Sequence, residues 1–246
     1  MDNKSDIKPQ YISQRALGAY IATVCQPEAS FDLSRAAQTV SPGINEAALL
    51  NKRLKWQKIN SRRGLKFIKL DNKSLKIIVF TDGSFANNKE NMTSQIGYVI
   101  CLADDKNRAN IVHWSSTKCK RITRSVLASE LYAMVVGFDM VTIIKSTLEK
   151  VINLLSISKS SSSIPLILCT DSRSLYECLS KLGTTTEKRL MIDIMALRQS
   201  YDYNEVAEIR WIEGSKNPAD AMTKHNPCDA LRKLIDKNEV DMSANS

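Results

Sequence analysis

The period of the apolar positions changes near residue 72. Upstream, Leu17, Tyr20, Ile21 and Val24, and later Ala47, Leu50 and Leu54, recur at helical spacing. They predict a mostly helical segment over 10–70, with a Ser-Pro-Gly break at 41–43. Downstream, 76–82 is a short β-branched apolar run ending at Gly83, which predicts a buried strand and a turn. Residues 95–102 and 110–117 repeat that signal, with polar turns at 87–94 and 103–108, so the three strands are most simply an antiparallel meander. Val126, Leu127, Leu131, Met134, Val135 and Phe138 then form the stripe of a long helix, with Thr123 as its expected N-cap. A Ser-rich connector at 156–163 leads to a strand at 164–170 and a short helix at 172–182. A capping box at 184–187 opens a helix through Leu190, Ile194 and Leu197, and a fifth strand follows at 206–212. Asn217-Pro218 starts a last helix through Met222, and the chain beyond 225 reads as a polar, frayed tail. The order β-β-β-α-β-α-α-β-α predicts an α/β fold: a mixed five-stranded sheet with helices on both faces, behind a small helical segment. The expected divisions are 1–71, 72–224 and 225–246.

Composition narrows the class. The 246 residues are 43% hydrophobic and 25% charged, which supports a sizeable core and excludes a wholly disordered chain. Lys and Arg number 35 against 26 Asp and Glu, a formal charge of +9 that favours polyanionic partners. Arg53, Lys55, Lys58, Arg62, Arg63, Lys66 and Lys69 form a basic run that fits either a solvated helix face or a phosphate-contacting surface. Six cysteines without a CxxC pair and only two histidines, His113 and His225, argue against structural zinc. No apolar leader opens the chain, and the longest apolar stretch, 131–144, is broken by Asp139 and short for a bilayer. These features predict an intracellular protein with reduced thiols, cytoplasmic (free or particle-associated) or nuclear, with no membrane partner. Neither GxSxG nor GxxxxGK[ST] occurs, so nucleophilic-serine and P-loop chemistry are unsupported.

Four carboxylates carry the candidate chemistry. Asp82 ends the first strand, Glu130 sits early in the long helix beside its apolar stripe, Asp171 ends the fourth strand, and Asp220 falls in the first turn of the last helix. Taken singly, each has an ordinary explanation as a turn former, a solvent-facing helix residue or a helix-dipole partner. Together they are more specific. Acids at the ends of buried strands need compensation, and hard divalent cations with oxygen ligands supply it. A pair of Mg²⁺ ions about 4 Å apart suits hydrolysis of a phosphodiester.

The motifs Thr81-Asp82-Gly83-Ser84, Ala128-Ser129-Glu130-Leu131-Tyr132-Ala133, Thr170-Asp171-Ser172 and Asn217-Pro218-Ala219-Asp220 resemble the type 1 ribonuclease H family over 74–224. The ending Ala219-Asp220-Ala221-Met222-Thr223-Lys224 is similar to the ADxxTK close of copia-type retrotransposon polyproteins. More loosely, Tyr20–Val24 with Phe31-Asp32-Leu33-Ser34, then Leu54-Lys55-Trp56 to Gly64-Leu65, resembles the thumb or connection behind a polymerase palm. The resemblance implies hydrolysis of the RNA strand of an RNA–DNA hybrid, with Asp82, Glu130, Asp171 and Asp220 holding two Mg²⁺ ions, Mn²⁺ being a possible substitute. It also implies substrate contacts from Gly83, Ser84, Arg124, Ser125, Ser129 and Ser172, with Gly83 in a turn of positive φ. Lys118, Lys120 and Arg121 suit phosphates or are an ordinary solvated turn. A reverse transcriptase palm or the parent polyprotein is the implied protein partner. The adjacent acids Asp104-Asp105 lie in a turn without the aromatic of the polymerase motif, so no DNA synthesis is expected.

Two departures qualify the family pattern. Many members place a His in the loop before the last Asp, where this chain has Glu213-Gly214-Ser215-Lys216; His225 comes after Asp220, as a substitute or an exposed tail residue. The short link 182–186 leaves no room for the basic protrusion of some cellular members. Two other functions remain open: an inactive nucleic-acid-binding remnant of a retroelement polyprotein, and an integrase- or resolvase-like nuclease of the same fold.

Overall fold

The computed structural model describes residues 7–88, 92–155, 163–181 and 184–243. Most of the expected Ser-rich connector, the tip of the 87–94 turn and part of the 182–186 link lie outside the described residues. Five strands form one sheet: β1 (Lys76–Asn88), β2 (Thr93–Ala103), β3 (Ala109–Lys118), β4 (Leu166–Thr170) and β5 (Glu208–Trp211). Their order is β3-β2-β1-β4-β5. The first three strands pair antiparallel, and β4 and β5 join parallel. This is the mixed five-stranded sheet that the sequence predicted.

Alternation along β1 builds two cores. Ile77 and Val79 face one side, where Leu131, Met134, Leu175, Ile194 and Leu197 of three helices cover them. Those helices are α4 (Val126–Leu154), α5 (Arg173–Ser180) and α6 (Met191–Asp202). Ile78 and Phe80 face the other side, against Ile212, Met222, Leu231 and Leu234. Every residue of β4 is buried, as a strand covered on both faces requires.

The second core corrects the expected frayed tail. Residues Ala230–Lys237 form α7, whose Leu231, Leu234 and Ile235 are buried together with Val240 and Met242. Because α4–α6 all lie on the first face, this segment joins Ile212 and the Pro218–Met222 turn in covering the second. Its apolar residues stand at helical spacing between charged ones, which made the stretch read as polar. Asn238 ends α7 in the left-handed region (φ 55°) and donates to the carbonyls of Lys66 (2.7 Å) and Ala109 (3.1 Å).

Smaller corrections concern helix ends. Ser125, not Thr123, caps α4 by accepting from the Ala128 amide at 3.1 Å, while Thr123 Oγ1 shares a hydrogen bond with Ser94. The 184–187 box is a local turn in which Thr185 accepts from the Glu187 amide, and a 3₁₀ turn precedes α6. The expected last helix is a 3₁₀ turn, Pro218–Met222, capped by Asn217 as predicted. By length and composition α4 is apolar enough to cross a membrane, contrary to the reading of its sequence. Its apolar residues nevertheless cover the sheet, and Leu131, Met134 and Val141 have no exposure.

The upstream segment is α1 (Ile7–Val24), a 3₁₀ turn at Pro27–Ala29, α2 (Ser30–Ala37) and α3 (Ile44–Ile59), around a small core of Tyr11, Ala22, Ala29, Leu33 and Leu50. Residues 61–70, expected to continue the helical segment, lack regular structure beyond a turn. The face of α1 that announced the helix points outward, with Leu17 66% and Tyr20 71% exposed. The opposite face carries Gly18, where a Cβ would stand 2.6 Å from Leu54 Cδ2, so the helices approach too closely for large side chains. This unit is docked on the sheet. Trp114 donates to the Ala22 carbonyl (3.1 Å), Gln38 to Gln95 (3.0 Å), and Arg63 to Asp236 (2.7 Å).

Candidate active site

The sheet delivers its acids to one end. Asp82 on β1 and Asp171, one residue past β4, emerge at neighbouring strands that run parallel, so both leave the sheet in the same direction. Glu130 reaches them from the first turns of α4 because Gly83 lets that helix settle on the strand. A Cβ at residue 83 would lie 2.4–2.6 Å from the Ser129 carbonyl group and the Glu130 nitrogen, closer than any real contact. Gly83 is therefore required by backbone approach and not by the expected turn, since its φ is not positive. One carboxylate oxygen from each of Asp82, Glu130 and Asp171 lies within 4.8 Å of the others.

Asp220, the fourth predicted acid, stands beside this trio and has other partners. Its Oδ1 accepts from Lys224 Nζ and its Oδ2 from the Cys228 amide at 2.7 Å. Lys224 Nζ is also 3.6 Å from Asp82 Oδ1, so one ammonium bridges the two acids. Thr223 donates to the other oxygen of Asp82. Asn217 donates to the Thr81 carbonyl (2.9 Å) and, through its cap, pins the turn carrying Asp220 to β1. Trp211 holds the Asp171 carbonyl at 3.1 Å.

The electrostatics are those of crowded, dehydrated carboxylates. Burial, with Asp82 and Asp171 adding repulsion, pushes Glu130 up to about 9. Asp82 is raised to about 6, chiefly by burial, with Lys224 opposing and Asp171 adding to the rise. Asp171 is raised for the same first reason, with Lys224 and Asn217 opposing. Burial works against the Lys224 charge, but Asp82 and Asp220 outweigh it and hold the ammonium well above its ordinary value. Glu130 Oε2 is buried with no hydrogen-bond partner. An oxygen so placed costs a few kcal/mol unless a cation meets it. Divalent ions take oxygen ligands at about 2.0–2.6 Å, so donors no more than 4.8 Å apart fit around one ion. The residues present therefore fit a hard divalent cation.

The predicted substrate contacts divide. Arg124 is exposed and Ser84 half-buried near the acids. Ser129 has no exposure and donates to the carbonyls of Val126 (2.7 Å) and Gly83 (3.3 Å), so it ties helix to strand and is not a surface contact. Gly83 is buried beneath α4. Ser125 and Ser172 are N-caps of α4 and α5, each accepting from the amide three residues on. Arg121 pairs with Asp193 (2.7 Å) and lies over the Tyr132 ring, while Lys118 and Lys120 are exposed. His225 is 3.2 Å from Asp32 and packs edge-on against Phe31, and it is not a member of the acid trio. Glu213 lies near Lys216 at 3.7 Å and does not join the trio. Lys224 and Thr223 were visible in the sequence only as part of a motif ending, with no role attached to either.

Comparison by sequence finds no matching family model and no matching curated protein. Comparison of folds finds LC11-RNase H1, isolated from compost, with 18% identity over 66% of this chain and 96% of that one, TM-score 0.44. RNase H1 of Halobacterium salinarum has 16% identity over 64% and 98%, TM-score 0.42. The protease–reverse transcriptase of prototype foamy virus has 14% identity over 70% of this chain and 21% of that one, TM-score 0.33.

Proposed function

We propose that this chain is a divalent-metal-dependent endonuclease that hydrolyses the RNA strand of RNA–DNA hybrids. The observation that carries the reading is the buried trio Asp82, Glu130 and Asp171 with its partnerless Glu130 oxygen. Those three residues would hold the ions, with Asp220 at their margin. Bound divalent ions supply an activated water and stabilise charge on the leaving oxygen. The chain's own groups do the rest. Thr223 and Asn217 orient Asp82 and its strand end, and Lys224 offers a positive charge beside the acids for a substrate phosphate. Exposed Arg124 and half-buried Ser84, two residues after Asp82, would contact the substrate. The motif resemblance supports hybrid as substrate and a retrotransposon polyprotein, with a reverse transcriptase palm as partner and an intracellular setting, as the context.

A second reading has its own observation. Lys224 already neutralises Asp82 and Asp220, as it would in an inactive nucleic-acid-binding remnant. Cleavage of a labelled RNA–DNA hybrid in Mg²⁺ and in Mn²⁺, with EDTA and Asp82→Asn as controls, separates the two. Metal-dependent loss of the RNA strand alone, abolished by the substitution, is expected. Well-folded protein that binds hybrid and cleaves in neither metal would establish the remnant.

A further inference from the structure

The positive charge of the chain is concentrated upstream of the sheet. Residues 7–71 hold eleven Lys and Arg against four Asp and Glu, a net of seven positive out of the whole chain's nine. Five of these cations, on α3 and just beyond it, divide into two groups. Arg53 and Arg63 turn inward: Arg53 pairs with Asp32 (2.5 Å), and Arg63 with Glu28 (2.5 Å) and Asp236 (2.7 Å). Lys52, Lys55 and Lys58 of α3 are exposed and, among the described residues, make no ion pair. They follow one another every three residues, so they form one ridge on the helix. The buried side of α3 carries Leu50 and Gln57, opposite that ridge.

The helix that carries the ridge is linked to the acids through α2 and residues 224–225. Asp32 of α2 accepts from Arg53 of α3 and lies 3.2 Å from His225, whose neighbour Lys224 touches Asp82 and Asp220. Three side-chain contacts and the Lys224–His225 peptide thus join α3 to the acids. Gln95 reinforces the link by donating to Ser34 of α2 and Ser116 of β3, each at 2.9 Å. Unpaired, evenly spaced cations on a docked helix match a line of phosphates.

We infer that the Lys52–Lys55–Lys58 ridge of α3 is a second nucleic-acid-binding surface, taking the phosphate backbone of the same duplex whose other part enters the acidic site. The inference rests on the hybrid reading above. It assigns to the upstream unit the gripping of substrate, separate from the chemistry.

The test measures hybrid binding by the Asp82→Asn chain across a salt series, so that substrate is not consumed. Each phosphate neutralised contributes about 0.9 to the slope of log affinity against log salt. Lys52→Gln/Lys55→Gln/Lys58→Gln is therefore expected to flatten the slope by about 2–3 and to weaken binding at physiological salt at least about tenfold. The control is Lys73→Gln/Lys106→Gln/Lys150→Gln, which removes three exposed charges at the other end of the sheet and should change the slope by less than about 1. With Asp82 restored, the α3 variant should keep its turnover at saturating hybrid and lose only apparent affinity. Equal slopes for the two triple variants would overturn the surface, as would loss of binding to phosphatidylserine vesicles with hybrid binding intact. Should the α3 variant fail to fold, amide-exchange protection of α3 by hybrid in the unsubstituted chain decides: protection supports the surface, and none removes it. A chain that binds hybrid through α3 but cleaves in no metal would sink the hydrolase reading alone. Cleavage with an unchanged slope would sink the surface alone.

Discussion

The two ends of the sheet bury carboxylates in opposite ways. At the turn between β2 and β3, Asp104 has no solvent exposure, yet it accepts from Arg108 and from the amides of Asp71 (3.2 Å), Lys106 (3.0 Å) and Arg108 (3.3 Å). Burial alone would raise its pKa, but these partners outweigh burial and hold it at about 2. At the other end, Glu130 is nearly as buried, has one oxygen without a partner, and is pushed up to about 9. The same burial therefore means structure where hydrogen bonds meet the charge, and a place for a cation where they do not.

The largest expected contrast lies in activity. Asp82→Asn should lower hybrid cleavage by about 1,000-fold or more, as loss of a group acting in the chemistry does, whereas Asp104→Asn should leave turnover of the folded protein unchanged. Steady-state cleavage with matched folded fractions checks both.

Stability should show the reverse. Asp104→Asn leaves an oxygen for the Lys106 and Arg108 amides but sets an NH₂ group against the Asp71 amide and the Arg108 guanidinium, at a cost of about 1–3 kcal/mol by denaturant unfolding. Glu130→Gln should instead stabilise the metal-free protein by about 2 kcal/mol at pH 7, because it removes a carboxylate that folding protonates. A destabilised Gln variant would mean that Glu130 has partners other than a cation.

The pH dependence separates the two ends further. Glu130 has a raised folded pKa, so between about 4.5 and 9 the folded chain binds the extra proton and metal-free stability falls as pH rises. Asp104 has a depressed folded pKa, so its contribution is present above about 4 and is lost as pH falls through about 2. The difference in unfolding midpoint between the unsubstituted chain and each single variant, measured from pH 2 to 9 in EDTA, should rise with pH between about 2 and 4 for Asp104→Asn and fall with pH between about 4.5 and 9 for Glu130→Gln. Mg²⁺ should raise the melting temperature of the unsubstituted chain and of Asp104→Asn, but hardly that of Glu130→Gln.

The smallest effect is expected at the seam between the upstream unit and the acidic end. His225→Ala removes a contact to Asp32 that is two-thirds exposed, worth less than about 1 kcal/mol. A larger loss on thermal unfolding would mean that this contact, rather than Gln95 and Trp114, carries the docking.

Strands and acids were legible in the sequence because their signals are local. Residues 76–81 and 164–170 are apolar runs each followed at once by an Asp, and that juxtaposition marks a carboxylate at the mouth of a buried strand. Partnerships across the chain carry no such signal. Lys224 stood in the sequence only as the close of a motif, and only the approach of β1 sets it against Asp82, 142 residues earlier. Ser129 looked like a substrate contact because its motif sits beside Glu130, whereas the close seat of α4 on Gly83 turns its hydroxyl inward.

By itself the sequence determined the order of the strands and the acids at the strand ends, since each depends on residue type and spacing within a few positions. The tertiary structure decided which acids converge, which cations stay unpaired, and that residues 230–242 close the second face of the sheet. Those outcomes depend on how separate segments compete to cover apolar area and satisfy buried charge, and that competition is settled only when the whole chain packs.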